Sequence, residues 1–409
     1  MQNLNPARCT IGGFIMKRVF KTLKFLVGIT ACVLMCMFYG GEEMTLLRRI
    51  PDTIYTDGGS PEEAANVIGD TLGSVGAAVQ DDVMTVRMFG LPVKTVNIRE
   101  RQEITVMPGG NALAISIEAD GVLVVGLGDV NGSSPAYEAG IRAGDIITAV
   151  NGKKPKNSDE LTRMFAECGE ETVTITVKRK GRILKYDVTP AMDANDGRYR
   201  LGIWARDDTA GIGTLTFVAD GRFCALGHSI ADVDTGVTIE VDSGDIAFVD
   251  IISISRSQKG SAGELIGRLL KDRDRCGAIE KNNDYGIYGT MEGEFLNDIY
   301  DDGVLLAYPE EAHVGKATLL ATVEGGEVRA YECSIIKVFP QSEKDVKSMV
   351  VEVTDDALLD LAGGIVQGMS GSPIIQDGKL IGAVTHVFVN DPTKGYCLYA
   401  WWMYDEMNG

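Results

Sequence analysis

The chain has 409 residues, long enough for two or three domains with substantial cores. Its formal net charge of −19 argues against nucleic acid as a partner, because phosphate backbones attract basic surfaces. Glycine is abundant with 49 residues, aromatic residues are sparse, and long amphipathic helical runs are few. This composition favours many short strands joined by turns, so we expect a mainly β protein.

The N-terminus carries a membrane signal. Residues 1–24 include a basic group formed by Lys17, Arg18, Lys21 and Lys24, and an apolar run occupies residues 25–39. This order is typical of a signal-peptide core or an uncleaved anchor, and it places the chain after Gly40 outside the cytoplasm. We therefore expect a protein that is membrane-anchored or secreted. Residues 40–100 are expected to form a linker with short strands.

Residues 101–190 contain the first specific motif. The segment from Ser134 to Ile147 reads SPAYEAGIRAGDII, and a Val-Asn-Gly turn follows at residues 150–152. These motifs resemble a bacterial PDZ domain, a fold that adds an extended peptide to a sheet edge and holds its carboxylate in a glycine loop. The resemblance implies a peptide-binding loop and strand made of Gly110, Asn111, Ala112, Leu113, Ala114 and Ile115. The alternative is a PDZ fold that acts only as a brace.

The second motif is the segment Gly368-Met369-Ser370-Gly371-Ser372-Pro373. Its glycines allow a tight turn that exposes the Ser370 hydroxyl and aims backbone N–H groups at a developing oxyanion. Apolar strands follow it, and an apolar strand upstream ends in Gly227-His228-Ser229. This order resembles the chymotrypsin-like fold, so residues 195–409 are predicted to form a double β-barrel. Ser370 is the predicted nucleophile, and the N–H groups of Gly368 and Ser370 are the predicted oxyanion hole.

A serine nucleophile needs a base, and the chain has only three histidines. His228 follows its strand in the setting expected of a general base. His386 is too close to the serine in sequence to come from the opposite barrel, and we expect it to line the pocket. His313 lies in a loop-like stretch and is expected to be solvated.

The residues alone give more than one candidate for the acid that would orient the histidine. Asp245 and Asp250 lie in the region where chymotrypsin-like enzymes place it, and a backbone carbonyl could take its role at some loss. The anchor, the PDZ unit, the GHSI histidine and the GIVQGMSGSPII serine together resemble the stage IV sporulation protein B family of serine peptidases. That resemblance implies Asp355 as the acid.

The same resemblance implies a function. The family cleaves itself and a membrane-bound regulator of a pro-sigma factor protease, in the space between forespore and mother cell. Two alternatives remain open: a non-catalytic PDZ scaffold, and a general envelope quality-control protease, in which the protease usually precedes the PDZ unit. We expect no cofactor and no metal, because the cysteines lack metal-ligand spacing.

Overall fold

The computed structural model describes residues 50, 53–56, 75–80, 82–88, 91–269, 275–339, 341 and 344–409. The expected basic N-terminus (residues 1–24) and the expected anchor (residues 25–39) lie outside the described residues. Among the described helices, none is long and apolar enough to cross a membrane. The chain forms two compact units, one of residues 1–102 with 340–343 and one of residues 103–339 with 344–409.

The described part of the first unit is a four-stranded sheet with the order β1-β4-β3-β2. Its strands are β1 (Thr53–Thr56), β2 (Val75–Gln80), β3 (Val83–Met88) and β4 (Leu91–Glu100). Alternate residues of β3 and β4 are buried, as expected of strands that cover a small core on one face (Met84, Val86, Val96 and Ile98). These four strands lie within residues 40–100, for which a linker with short strands was expected.

The second unit contains the remaining strands and all four described helices. The strands are β5 (Thr105–Pro108), β6 (Ala112–Leu127), β7 (Ile146–Val150), β8 (Val173–Arg179), β9 (Arg182–Val188), β10 (Ala191–Met192), β11 (Tyr199–Arg200), β12 (Ile203–Ala219), β13 (Arg222–Ala225), β14 (Val241–Ser255), β15 (Glu264–Leu269), β16 (Gly277–Asn283), β17 (Gly286–Met291), β18 (Val304–Leu306), β19 (Gly315–Ala321), β20 (Arg329–Val338), β21 (Met349–Val353), β22 (Pro373–Gln376), β23 (Lys379–Val387) and β24 (Lys394–Tyr399). The helices are α1 (Pro135–Ala139), α2 (Ser158–Cys168), α3 (Asp356–Ala362) and α4 (Ala400–Asn408).

Six strands close into a first barrel. The pairing runs β6-β12-β13-β17-β16-β14 and returns from β14 to β6. Closure leaves no unpaired sheet edge within the ring, and the inward-facing side chains fill the interior. That interior contains Leu113, Ile117, Leu215, Phe223 and Ile287, all essentially inaccessible to solvent.

Six further strands close into a second barrel. The pairing runs β19-β20-β21-β24-β23-β22 and returns from β22 to β19. Its core includes Leu319, Ile335, Val351, Ile374 and Val384. The mainly β fold with a β-barrel protease domain, expected from the order of the motifs, is therefore observed.

The PDZ unit is inserted into the first barrel rather than placed before it. Strands β6 and β12 are 16 and 17 residues long, and they pair from Ala112↔Thr214 to Leu127↔Ile203. One half of each strand belongs to the barrel, and the other half borders a separate PDZ core that includes Val122, Leu161 and Ile175.

This arrangement differs from the expected division into a PDZ domain at residues 101–190 and a peptidase domain at residues 195–409. Residues 105–119 belong to the peptidase barrel, because β5 and the first half of β6 pair with β12 and β14. The barrel and the PDZ core thus share two continuous strands, and no boundary falls at a linker between them.

Candidate active site

The predicted nucleophile lies in the loop between α3 and β22, and the first barrel holds this loop in place. The buried hydroxyl of Thr214 donates to the carbonyl of Gly368 at 2.7 Å, and Thr216 donates to the carbonyl of Gly371 at 2.8 Å. The N–H of Thr214 donates to the carbonyl of Ser370 at 2.9 Å. Three bonds from β12 therefore fix the serine turn of the other barrel.

Two glycines in this turn have positive φ, at +97° for Gly368 and +98° for Gly371. A Cβ atom at residue 371 would lie 2.1 Å from the carbonyl oxygen of Thr214, so no side chain fits there. Within the described chain, the N–H groups of Gly368 and Ser370 have no hydrogen-bond partner, whereas the N–H of Gly371 donates to Val384. Two free N–H groups beside a serine hydroxyl are what an oxyanion hole requires.

His228 reaches the same place from the first barrel. Strand β13 ends at Ala225, and Leu226 and Gly227 then adopt φ values of +71° and +70°. Leu226 is thus a rare non-glycine residue in the left-handed region. The chain turns there, with the N–H of Gly227 donating to the carbonyl of Ala225 at 2.9 Å, and His228 follows this turn.

Ser370 and His228 line one cleft of about 360 Å³. The stretch of β12 from Thr209 to Ile212 and Gly368 also line this cleft. Apart from the imidazole, every side chain lining this cleft is uncharged. The structure therefore brings together the serine, the histidine and the two N–H groups that the sequence assigned to one site.

The environment of His228 suits a base. Its Nδ1 lies 2.8 Å from the carbonyl oxygen of Ser229, and it must donate there because a carbonyl only accepts. In the neutral ring Nε2 is then the unprotonated nitrogen, and it makes no hydrogen bond among the described residues. Burial lowers the pKa of His228, although the bond to Ser229 opposes that effect.

The Ser370 hydroxyl donates to the carbonyl of Thr385 at 2.7 Å. Thr385 lies on β23, where a bulge between Val384 and His386 interrupts the pairing with β24. The nucleophile is therefore held by backbone in this structure, and it has to leave that carbonyl before it can give its proton to the imidazole.

Asp355 is not placed beside His228. It is the N-cap residue of α3, where Oδ1 accepts from the N–H of Leu358 at 3.0 Å and Oδ2 accepts from the N–H of Glu332 at 3.2 Å. Both carboxylate oxygens thus bind backbone, and a capping aspartate in this position is explained by the helix alone.

The two alternative acids lie elsewhere as well. Asp245 is exposed on β14 and pairs with Arg275 at 2.8 Å. Asp250, further along the same strand, is opposite Arg268 in the pairing with β15. No described hydrogen bond joins any of the three aspartates to His228, whose Nδ1 partner is a backbone carbonyl.

The other two histidines differ in position. His386 lies beside His228, with ring centroids 5.0 Å apart, but it is not among the residues that line the cleft of about 360 Å³. His313 is exposed, and its Nε2 lies 2.7 Å from Asp377. It is a surface residue, as the sequence suggested.

The expected peptide-binding residues are not in the PDZ unit. Gly110, Asn111, Ala112, Leu113, Ala114 and Ile115 lead into and begin β6, inside the first barrel. The N–H of Gly110 donates to Leu215, and Leu113 is fully buried in the barrel core. From Leu113 onward this segment is paired with β12 on one side and β14 on the other, so it offers no edge to a peptide.

A different segment has the features of such a groove. Leu201 and Gly202 precede β12, and their N–H groups have no hydrogen-bond partner in the described structure. Among the described strands, β12 pairs from Ile203 to Arg206 only with β6, so its other edge is open to that part of the chain. Helix α2 packs against the same core as Ile203. The signal that sequence reasoning missed is the Leu-Gly-Ile triplet at 201–203, which follows the PDZ motifs instead of preceding them.

The described residues contain no cluster of three or more His, Cys, Asp or Glu side chains that could hold a metal ion. Five cysteines lie among the described residues, and four of them are buried.

Two family models match the chain, described as "SpoIVB peptidase S55" over residues 197–404 and "PDZ domain" over residues 129–179. A "Probable periplasmic serine endoprotease DegP-like" of Brucella suis is 33% identical over 143 residues, covering 32% of this chain and 26% of its own. The "Regulator of sigma-W protease RasP" of Bacillus subtilis is 28% identical over 95 residues, covering 23% and 22%.

This chain thus spans about a quarter of the length of the curated relatives it matches. Among solved structures, the active form of the Rv3671c protease from M. tuberculosis is similar at 15% identity and a TM-score of 0.30. That likeness covers 49% of this chain and 74% of the other.

Proposed function

We propose that this chain, which belongs to the SpoIVB peptidase S55 family and has a PDZ domain, is a serine endopeptidase that acts in endospore formation. In this proposal it is exported across the cytoplasmic membrane, with residues 25–39 as anchor or signal. It cleaves itself and a membrane-bound regulator of a pro-sigma factor protease. Family membership supports the role, and the similarity to a DegP-like periplasmic protease supports the location.

The observation that carries the catalytic proposal is the shared cleft of Ser370 and His228 next to two unpaired N–H groups. The Ser370 Oγ attacks the scissile carbonyl carbon, and its proton passes to Nε2 of His228. The N–H groups of Gly368 and Ser370 stabilise the oxyanion. The imidazolium then protonates the leaving amine, and water hydrolyses the acyl-enzyme by the same path in reverse.

We propose a dyad rather than a triad with Asp355. The carbonyl of Ser229 accepts the Nδ1 proton and so fixes the productive tautomer, which is one of the two tasks of a triad acid. A neutral carbonyl stabilises the imidazolium less than a carboxylate does, so the base is weaker. A slow, regulated peptidase is compatible with such a base.

We further propose that the PDZ unit binds a peptide, with the N–H groups of Leu201 and Gly202 holding its terminal carboxylate. The peptide would extend the open edge of β12 from Ile203 to Arg206 as an added strand. Gly202 has a φ of +70°, and a Cβ there would lie 2.3 Å from the carbonyl of Gly128. Gly202→Ala should therefore weaken binding of a peptide with a free C-terminus, measured by calorimetry. Amidating the C-terminus of that peptide should have little further effect on the variant, because the variant no longer binds the peptide.

The nucleophile is tested with Ser370→Ala, His228→Ala and the matched control Ser372→Ala in the purified chain. We expect the first two to lose self-processing and labelling by a fluorophosphonate, because each removes a reacting group. The control keeps both, because the Ser372 hydroxyl is buried, has no hydrogen-bond partner among the described residues and does not line the cleft. Processing by Ser370→Ala at the rate of the unmodified chain would refute Ser370 as the nucleophile, and an unmodified chain that neither processes itself nor takes up the label would identify a non-catalytic PDZ scaffold.

The sporulation role needs a separate test. A strain producing Ser370→Ala should form the protein but fail to process the pro-sigma factor, and co-reconstitution with its membrane-bound regulator should show cleavage of that regulator only by the active chain. If many unrelated unfolded proteins are cleaved equally well, a general quality-control function is favoured.

A further inference from the structure

The loop that follows His228 is closed around one buried carboxylate. Asp232 lies four residues after the histidine, and its side chain is completely inaccessible to solvent. Its Oδ1 accepts from the N–H and the hydroxyl of Thr235, at 2.9 and 3.0 Å, and from the N–H of Asp234 at 3.1 Å. Its Oδ2 accepts from the guanidinium of Arg206. Within the described structure, the hydrogen bonds of the Asp232 carboxylate thus fix the shape of the turn after His228 and join it to Arg206.

The two ends of the loop are held together as well. Asn282 on β16 accepts from the N–H of Ile230 at 2.9 Å and donates to the carbonyls of Ile230 and Ile239, both at 2.8 Å. The N–H of Ile239 also donates to the carbonyl of Ile230 at 3.1 Å. The base of the loop, two residues after His228, therefore cannot shift without breaking this clamp.

Arg206 connects the loop to strand β12, part of which lines the cleft. It lies on β12, three residues before the stretch that begins at Thr209 and lines the cleft. Besides Asp232, it pairs with the half-exposed carboxylate of Asp234 at 3.0 Å. The ion pair therefore ties the chain segment that carries His228 to a strand that lines the same cleft.

We propose that Arg206 and Asp232 are positioning residues for His228, which set the distance between the imidazole and Ser370 without touching substrate. The inference rests on the proposed function, because it takes His228 as the base. It goes further by assigning a kinetic role to a buried ion pair outside the reacting groups. A shift of about 1 Å at a reacting group can cost about 10²-fold in rate, so the effect is measurable.

The electrostatics agree with this role. Burial by itself raises the pKa of Asp232, but the hydrogen bonds from Thr235 and from the guanidinium outweigh it and hold the pKa below its usual range. The carboxylate is therefore ionised at neutral pH. Replacing it with an amide keeps the size of the side chain and removes the charge that Arg206 binds.

The test compares Asp232→Asn with the control Asp234→Asn in the full chain. We expect the first to lower kcat by about 10- to 100-fold with KM changed less than about threefold, and to slow fluorophosphonate labelling of Ser370 equally. The control, which removes only the exposed partner of the same arginine, should stay within about twofold in both measurements. The acid limb of the pH–rate profile should move in Asp232→Asn and not in Asp234→Asn, because only the former changes the surroundings of the imidazole.

Arg206→Lys and Arg206→Gln give an independent reading if the asparagine variant does not fold. The lysine variant should retain more activity than the glutamine variant, because it keeps a cation near the carboxylate. Equal kcat values for Asp232→Asn, Arg206→Gln and the unmodified chain would overturn the inference. If Ser370→Ala and His228→Ala are active, the proposed function fails. If those two are inactive while Asp232→Asn and Arg206→Gln behave like the control, only the positioning role fails.

Discussion

Replacing Asp355 with asparagine separates a capping role from a catalytic role for this carboxylate. Asparagine is as good an N-cap as aspartate, so the bond to the N–H of Leu358 survives the change. The structure gives the imidazole of His228 a different partner, the carbonyl of Ser229. We therefore expect Asp355→Asn to keep kcat/KM within a few-fold of the unmodified chain.

The size of the effect on stability follows from the contacts. Asparagine removes the charge at the N-terminus of α3, which contributes about 0.3–1 kcal/mol to the free energy of unfolding. Asp355→Ala also removes the capping bond, and the loss should reach about 1 kcal/mol or somewhat more. The N–H of Glu332 adds little, because this residue is exposed and water can replace the carboxylate. The alanine variant should thus be the less stable of the two and almost as active.

A triad acid would behave differently. Its replacement by an amide typically lowers kcat by about 10⁴-fold while leaving the fold intact. Urea unfolding and kcat/KM with one peptide substrate, measured on both variants and on Asp245→Asn and Asp250→Asn, decide between the roles. A stable Asp355→Asn whose rate falls by a thousandfold or more, and recovers as the pH rises, would refute the dyad.

Three further predictions test the nucleophile loop and the base. Ser372→Ala should leave the free energy of unfolding unchanged or raise it by up to about 1 kcal/mol in urea titration, because it removes a buried hydroxyl without a partner. Gly371→Ala should abolish fluorophosphonate labelling, because its Cβ would overlap the carbonyl of Thr214 at a φ of +98°; normal labelling would show that the turn can rearrange. Since burial lowers the pKa of His228, the imidazole stays neutral to lower pH than in a free peptide, and kcat/KM should fall only below about pH 6.5. An acid limb centred above that value would contradict the buried position of the ring.

Local chemistry explains what could be predicted at the candidate site. Glycines around Ser370 predict a turn with a positive φ, and the structure has that turn with N–H groups free. The apolar strand before His228 predicts a hairpin end, and β13 ends there. These inferences depend on the backbone freedom of a few neighbouring residues, so they do not need the rest of the chain.

Pairings between distant residues explain what could not be predicted. Gly110 to Ile115 has the glycines and alternation of a PDZ loop and strand, but its neighbours on β12 and β14 are about a hundred residues away. Those neighbours decide that the segment lies inside a barrel. Asp355 likewise is a residue type that could serve as the acid of a catalytic triad. Its hydrogen-bond partner is instead set by its position as the N-cap of α3.

The sequence by itself determined the composition of a mainly β chain and the PDZ and peptidase motifs, and it predicted Ser370 and His228 as the reacting pair. Only the tertiary structure decided that the PDZ unit is inserted within the first barrel, through the shared strands β6 and β12, and that a backbone carbonyl holds the histidine. The physical reason is that motifs report local backbone preferences, whereas strand sharing and side-chain partners depend on hydrogen bonds between segments that sequence order does not place together.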